Sequence, residues 1–194
     1  MNIVILGSGK GSNCRAILNA HSAGLFNSTN IAAICSDKKE SGILEIARKE
    51  RIPYSCFGNY DSSDRNIDNK WIDGIKAYNP DLIVLAGFMK ILSVHFIENF
   101  KSKIINLHPS ILPSFQGLNA IKQAWDAGVK ITGCTVHWVT PELDSGKIIA
   151  QAPVRIMPGD TLESVSAKVS AAEHMLLPTV IACLLYTSPS PRDS

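Results

Sequence analysis

Short apolar runs alternate with helical stripes through the first half of the chain. Asn2–Leu6 has the pattern of a buried strand, followed by the glycine-rich turn Gly7–Asn13 and a helix predicted over Cys14–Ala23, stopped by Gly24. Ile31–Cys35 repeats the strand pattern, Ile43–Glu50 reads as a short helix, and Ile52-Pro53-Tyr54 as an edge segment. Over Asp64–Tyr78 the residues Ile67, Trp71, Ile72, Ile75 and Tyr78 fall on one helical stripe, which Asn79-Pro80 breaks. Asp81–Ala86 is nearly continuous in apolar residues, as in a strand covered on both faces. Ile91–Phe100 reads as a helix and Ile104–Leu107 as the next strand. Strands alternating with helices predict a parallel α/β sheet.

The second half departs from that rhythm. A loop over Pro109–Gly117 leads to a helix over Leu118–Ala127. Cys134–Val139 and Lys147–Val154 then read as strands joined by Thr140–Gly146, a long antiparallel hairpin appended to the parallel part. Thr161–Leu177 is an amphipathic helix; Thr161-x-x-Ser164 lacks the Glu or Gln of a capping box, so its start is left open. No repeat is visible, and residues 1–183 are expected to form a single domain. From Leu184 the composition changes abruptly. Residues 184–194 are expected to be a disordered or non-native tail, and they look like a translated sequencing adapter.

The 194 residues suffice for one domain with a sizeable core, and 45% hydrophobic with 19% charged residues is ordinary for a soluble globular chain. A net charge of +2, with basic residues spread out and no interleaved aromatics, argues against a nucleic-acid or anionic-membrane partner. No apolar run reaches the roughly 20 residues of a spanning helix. The N-terminus lacks a basic n-region and a cleavage site, so a cytoplasmic location is expected. Five scattered cysteines without a Cys-x-x-Cys pair read as buried thiols in a reducing compartment.

Chemistry concentrates at a strand end. Asn106 and His108 are two apart, so in a strand they share a face and present an amide and an imidazole together. Such a pair suits a carbonyl under attack, one group holding the oxyanion and the other managing a proton; the plainer alternative is a polar strand cap. Gly7–Asn13, between a strand and a helix, can bind an anion through backbone N–H groups and the helix dipole, with Ser12 and Asn13 as side-chain donors. It matches neither a Walker A loop nor Gly-x-Gly-x-x-Gly, which favours a mononucleotide-like phosphate over a dinucleotide. Asp144 in the hairpin loop is either a turn former or a carboxylate that folds back onto His108, favouring its protonated form and fixing its ring. His137 alternates with Thr135 and Val139 and could line the same cleft; His21, His95 and His174 read as structural or solvated. No metal-ligand spacing and no Gly-x-Ser-x-Gly elbow is present, so neither a metal nor a hydrolase triad is expected.

Five separated segments, Ser8-Gly-Lys-Gly-Ser-Asn13, Leu85-Ala-Gly-Phe-Met-Lys-Ile-Leu92, Asn106-Leu-His-Pro-Ser-Ile-Leu-Pro113, Gly133-Cys-Thr-Val-His-Trp-Val139 and the Asp144 loop, occur in order. Together they resemble the glycinamide ribonucleotide (GAR) formyltransferases, folate-dependent enzymes of purine biosynthesis, from residue 1 to about 182. The resemblance implies a mostly parallel, Rossmann-like sheet flanked by helices. It implies Asn106, His108 and Asp144 as the catalytic trio. Gly11, Ser12 and Asn13 would grip the ribonucleotide phosphate, and Ser170, Ala171, Ala172 and Glu173 a further part of GAR, with Glu173 near its amine. Met89, Lys90, Ile91 and Leu92, with Thr140, Pro141, Glu142 and Leu143 and with Asn106 and Asp144, would wall the folate pocket. Arg65, one place from a family arginine, would approach the folate. The implied co-substrate is 10-formyltetrahydrofolate with no metal, and the implied state a monomer or homodimer.

Some positions depart from the family pattern: Lys147 after Ser145-Gly146 where proline is usual, Gln116 where proline is common, and Asn119 where histidine often stands. The alternatives are methionyl-tRNA formyltransferase and formyltetrahydrofolate deformylase, both expected to be longer, an amino-sugar formyltransferase, or a non-catalytic folate- or nucleotide-binding module.

Overall fold

A computed structural model describes residues 1–187. The strands are β1 (Asn2–Leu6), β2 (Asn30–Ser36), β3 (Tyr54–Cys56), β4 (Leu82–Leu85), β5 (Ile104–His108), β6 (Ile131–Trp138) and β7 (Ile148–Arg155). The helices are α1 (Ser12–Ser22), α2 (Gly42–Lys49), α3 (Arg65–Lys76), α4 (Val94–Asn99), α5 (Ala120–Asp126) and α6 (Leu162–Thr187). All seven strands join one sheet in the order β3-β2-β1-β4-β5-β6-β7. The first five run parallel; β6 is antiparallel to β5, and β7 to β6. This is the mostly parallel α/β sheet with an appended hairpin that the hydrophobic pattern predicts.

The central strands are apolar throughout because both faces are covered. Ile3 and Ile5 pack into a core with Cys14 and Ile17 of α1, Ile43 of α2, and Val165 and Val169 of α6. Val4 and Leu6 face the other core, with Trp71, Ile72 and Ile75 of α3 and Phe96 of α4. Helix α1 therefore leaves β1 on one face of the sheet, and α4 leaves β4 on the opposite face. The neighbouring strands β1 and β4 flank the point where the winding reverses, the place where sheets of this kind commonly bind ligands at the carboxyl ends of their strands.

Tyr60, Asp68 and Ser93 pair at the second core, whereas the buried Trp71 Nε1 has no hydrogen-bond partner. The buried Tyr60 hydroxyl donates to Asp68 Oδ1 (2.6 Å), and Ser93 Oγ donates to Asp68 Oδ2 (2.7 Å). Burial, with the Asp68 carboxylate beside it, pushes the Tyr60 hydroxyl up to about 12. Ser93 Oγ also accepts from the Phe96 N–H (2.8 Å), so this network caps α4. The cap explains a difference from the sequence pattern: α4 begins at Val94 rather than Ile91, and Met89–Leu92 is loop.

Helix α6 also differs. It starts with a reciprocal cap, Thr161 N–H to Ser164 Oγ (2.9 Å) and Ser164 N–H to Thr161 Oγ1 (3.2 Å), in which serine does the work of the absent Glu or Gln. It then runs ten residues past Leu177, through Pro178, because Val180 and Ile181 continue its buried stripe. Leu184–Thr187, expected to lie in a disordered tail, are its last turn; residues 188–194 lie outside the described residues. Leu162–Leu185 is long and apolar enough to cross a membrane by length and composition, but its apolar stripe packs on the sheet as a core helix.

The cysteines are not uniformly buried: Cys14, Cys35 and Cys134 are, and burial pushes each thiol up to about 12, whereas Cys56 is half-buried and Cys183 exposed.

Candidate active site

The site is built outward from the end of β5. Pairing with β6 sets Asn106 opposite His137 and His108 opposite Thr135. His137 Nδ1 lies 3.0 Å from the Trp138 carbonyl oxygen, which can only accept, so Nδ1 carries the proton. Burial holds His137 below the ordinary imidazole range, against the pull of the Trp138 carbonyl and the Asp144 carboxylate and with the help of His108. The ring is therefore neutral, and its Nε2 lone pair accepts from Asn106 Nδ2 at 3.2 Å. That bond fixes the Asn106 amide and leaves its second N–H for another acceptor.

His108 is held differently. Its Nε2 lies 2.9 Å from the Phe115 carbonyl oxygen and its Nδ1 3.3 Å from Asp144 Oδ2. Both neighbours are acceptors, a setting that suits a ring donating from both nitrogens. The two side chains are 6% and 7% exposed, dry enough for the pair to be little screened by solvent. Asp144 Oδ1 stands 3.7 Å from His137 Nε2. One carboxylate thus stands beside both histidines.

Asp144 reaches this position from the β6–β7 loop, at φ 49°. The Gly117 N–H donates to its Oδ2 (2.9 Å), and Gln116 Nε2 donates to its backbone carbonyl (3.2 Å). Gln116, a departure from the family pattern, so supplies a tether that proline could not. Asn119, another departure, takes φ 58° ahead of α5, a conformation asparagine tolerates. Thr135 Oγ1 donates to the Ser110 carbonyl (2.7 Å) and accepts from the Leu112 N–H (3.1 Å), holding the loop after β5 against β6. Gly146 closes the hairpin: a Cβ there would sit 1.6 Å from the Trp138 carbonyl oxygen. Gly146→Ala is expected to push the Asp144 loop off its seat, lowering stability by about 1–3 kcal/mol and turnover with it. Thermal unfolding beside steady-state rates checks this; an alanine variant that matches the parent in both would contradict it.

The glycine-rich turn leads from the carboxyl end of β1 into α1. Gly11 precedes α1 at φ 83°, and a Cβ there would lie 2.9 Å from Ile43 Cα. No side chain caps α1, which leaves first-turn N–H groups and the positive end of the helix dipole for an anion. Lys10, Gly11, Ser12, Arg15, Gly42 and Lys49 line a hollow of about 310 Å³ beside it. Asn13 Nδ2 donates to Glu173 Oε2 (3.2 Å), which joins this turn to α6. Burial pushes the Glu173 carboxyl up, and the Asn13 N–H draws it partly back.

The chain matches the family described as "Formyl transferase" over residues 1–181. It is 39% identical over 183 residues to the phosphoribosylglycinamide formyltransferase of Escherichia coli, covering 94% of this chain and 86% of that one. The crystal structure of phosphoribosylglycinamide formyltransferase from Bacillus halodurans superposes with a TM-score of 0.91 at 32% identity, covering both chains fully (100% each). That from Anaplasma phagocytophilum gives 0.87 at 40% identity, covering 95% of this chain and 86% of that one. This chain belongs to the formyl transferase family.

In this formyl transferase the residues singled out in the sequence fall into three groups. Asn106, His108 and Asp144 come together at the end of β5. Gly11, Ser12 and Asn13 follow one another at the start of α1, and Asn13 meets Glu173. On α6, Ser170 and Glu173 are three apart and share a face, whereas Ala171 is exposed and Ala172 packs on the core, so those two are not brought to the turn. Met89 and Ile91 are 65% and 66% exposed and Leu143 52%, apolar surface on two loops of this formyl transferase. Lys90 acts on Asp61, whose carboxyl lies below the usual range chiefly through hydrogen bonds from Ser63. Exposed Arg65 opens α3 four residues after Asp61. Thr140 Oγ1 donates to the Glu142 carbonyl (3.2 Å), and Pro141 begins the exposed stretch of the same loop. The Phe115 carbonyl and the Gly117 N–H were missed because they act through the backbone, which no side-chain motif records. Among the described residues no group of three or more His, Cys, Asp or Glu could hold a metal.

Proposed function

We propose that the chain transfers the formyl group of 10-formyltetrahydrofolate to the amine of GAR, giving formyl-GAR and tetrahydrofolate in de novo purine biosynthesis in the cytoplasm. The observation that carries this reading is the dry juxtaposition of Asn106, His108 and Asp144 at the strand end, in a chain whose α1 N-terminus has no side-chain cap. The GAR phosphate sits on the N–H groups of Gly11, Ser12 and Asn13, and Glu173 faces the amine end. Exposed Met89, Ile91 and Leu143 offer apolar surface for the flat pterin, and the backbone of Thr140–Asp144 its hydrogen bonds.

The neutral amine attacks the formyl carbon, and the C=O π electrons move to oxygen. The oxyanion accepts from the second Asn106 N–H and from His108 Nε2–H, taking the place the Phe115 carbonyl holds on that nitrogen. Asp144 orients the His108 ring and favours its protonated form. Collapse breaks the bond to the folate N10, and a proton from the attacking nitrogen reaches N10 through water. No covalent enzyme intermediate is required, because both substrates share the cleft. With both substrates supplied, mass spectrometry should find formyl-GAR equal in amount to the tetrahydrofolate released; unmodified GAR beside free formate would contradict the assignment.

A further inference from the structure

Ser8 belongs to the first of the five segments but has no part in the proposed formyl transfer. It is 4% exposed, and both its polar groups on the β4 side are spent on one neighbour. Its backbone N–H donates to the Gly87 carbonyl (3.0 Å), and its hydroxyl oxygen accepts from the Met89 N–H (2.9 Å). The regular ladder between β1 and β4 ends with Ala86 N–H to the Leu6 carbonyl (2.8 Å). Beyond that point the strands' turns diverge, because α1 and α4 leave on opposite faces of the sheet. Ser8 adds two bonds across the divergence, one with its side chain. The turns also touch at Gly7, where a Cβ would lie 2.9 Å from the Ala86 carbonyl oxygen.

The bonded segments are the anion-binding turn, which continues from Ser8 to Gly11 and Asn13, and the loop that carries exposed Met89 and Ile91. The far end of that loop is anchored by Ser93 on Asp68 and Tyr60. The span between the anchors, Gly87–Leu92, is short, so a displacement at Ser8 cannot dissipate along it. We propose that Ser8 is a positioning residue that couples the phosphate and folate subsites, so that filling either one sets the loop for the other. This rests on the formyl-transfer reading. Coupling of this kind is reciprocal: GAR tightens folate binding by the factor by which folate tightens GAR.

The test measures the affinity for tetrahydrofolate, which cannot donate a formyl group, with and without saturating GAR, after turnover of the parent chain has been recorded. The parent is expected to bind tetrahydrofolate about five-fold or more tighter with GAR present. Ser8→Ala is expected to bring that ratio close to one, and Ser8→Thr, which keeps the hydroxyl, to retain most of it. A merely structural role would weaken tetrahydrofolate binding equally in both conditions and leave the ratio unchanged, which would overturn the proposal. So would a ratio of one in a parent chain that turns over. A parent chain that neither turns over nor binds either ligand overturns the formyl-transfer reading, and the coupling with it.

Discussion

His108→Asn is expected to lower kcat by about a thousand-fold, within the 10²–10⁴ range for a positioned proton-handling group. Asparagine is too short to reach both the Phe115 carbonyl and Asp144, and it cannot take up a proton beside Asp144 as an imidazole can. In the proposed mechanism His108 donates to the formyl oxygen, so its loss falls on the step in which charge builds there. The fold should survive, because Asp144 keeps the Gly117 N–H and Gln116 tethers. Steady-state rates beside a thermal unfolding curve decide the matter. Near-normal turnover in a folded variant would remove His108 from the mechanism.

Asn106→Leu is expected to lower kcat by about a hundred-fold or more, the usual loss for one oxyanion donor, with little change in KM. Leucine fills similar space but donates nothing, and it leaves the His137 Nε2 lone pair without its partner. An interaction made only in the transition state lowers kcat and kcat/KM together. A variant that raised KM alone would instead mark Asn106 as a ground-state contact. Because neutral His137 orients the amide, His137→Ala should show a smaller loss of the same kind.

The elements most legible in the sequence are those whose side chains answer to one physical demand. β1 and β4 read correctly because strands covered on both faces must be apolar throughout. The period of two made the common face of Asn106 and His108 visible before any coordinates. Elements decided by tertiary partners read less well. Ile91 and Leu92 extend an apolar helical pattern, but the start of α4 is set by Ser93, whose hydroxyl is bonded to Asp68 of another helix. Pro178 should discourage α6, yet Leu177, Val180 and Ile181 are buried on the sheet, and that packing outweighs one missing hydrogen bond. In the site, the meeting of Asp144 with His108 depends on how a nine-residue connection folds between β6 and β7, and sequence spacing carries no such distance. The neutrality of His137 follows only from its burial, and its tautomer from the Trp138 carbonyl, both products of the finished sheet.

The most direct test of the whole account is the rate of tetrahydrofolate release from 10-formyltetrahydrofolate, measured with and without GAR. Formyl transfer through Asn106, His108 and Asp144 predicts release only when GAR is present, in step with GAR consumption. Release at the same rate without GAR would make water the acceptor and contradict the assignment.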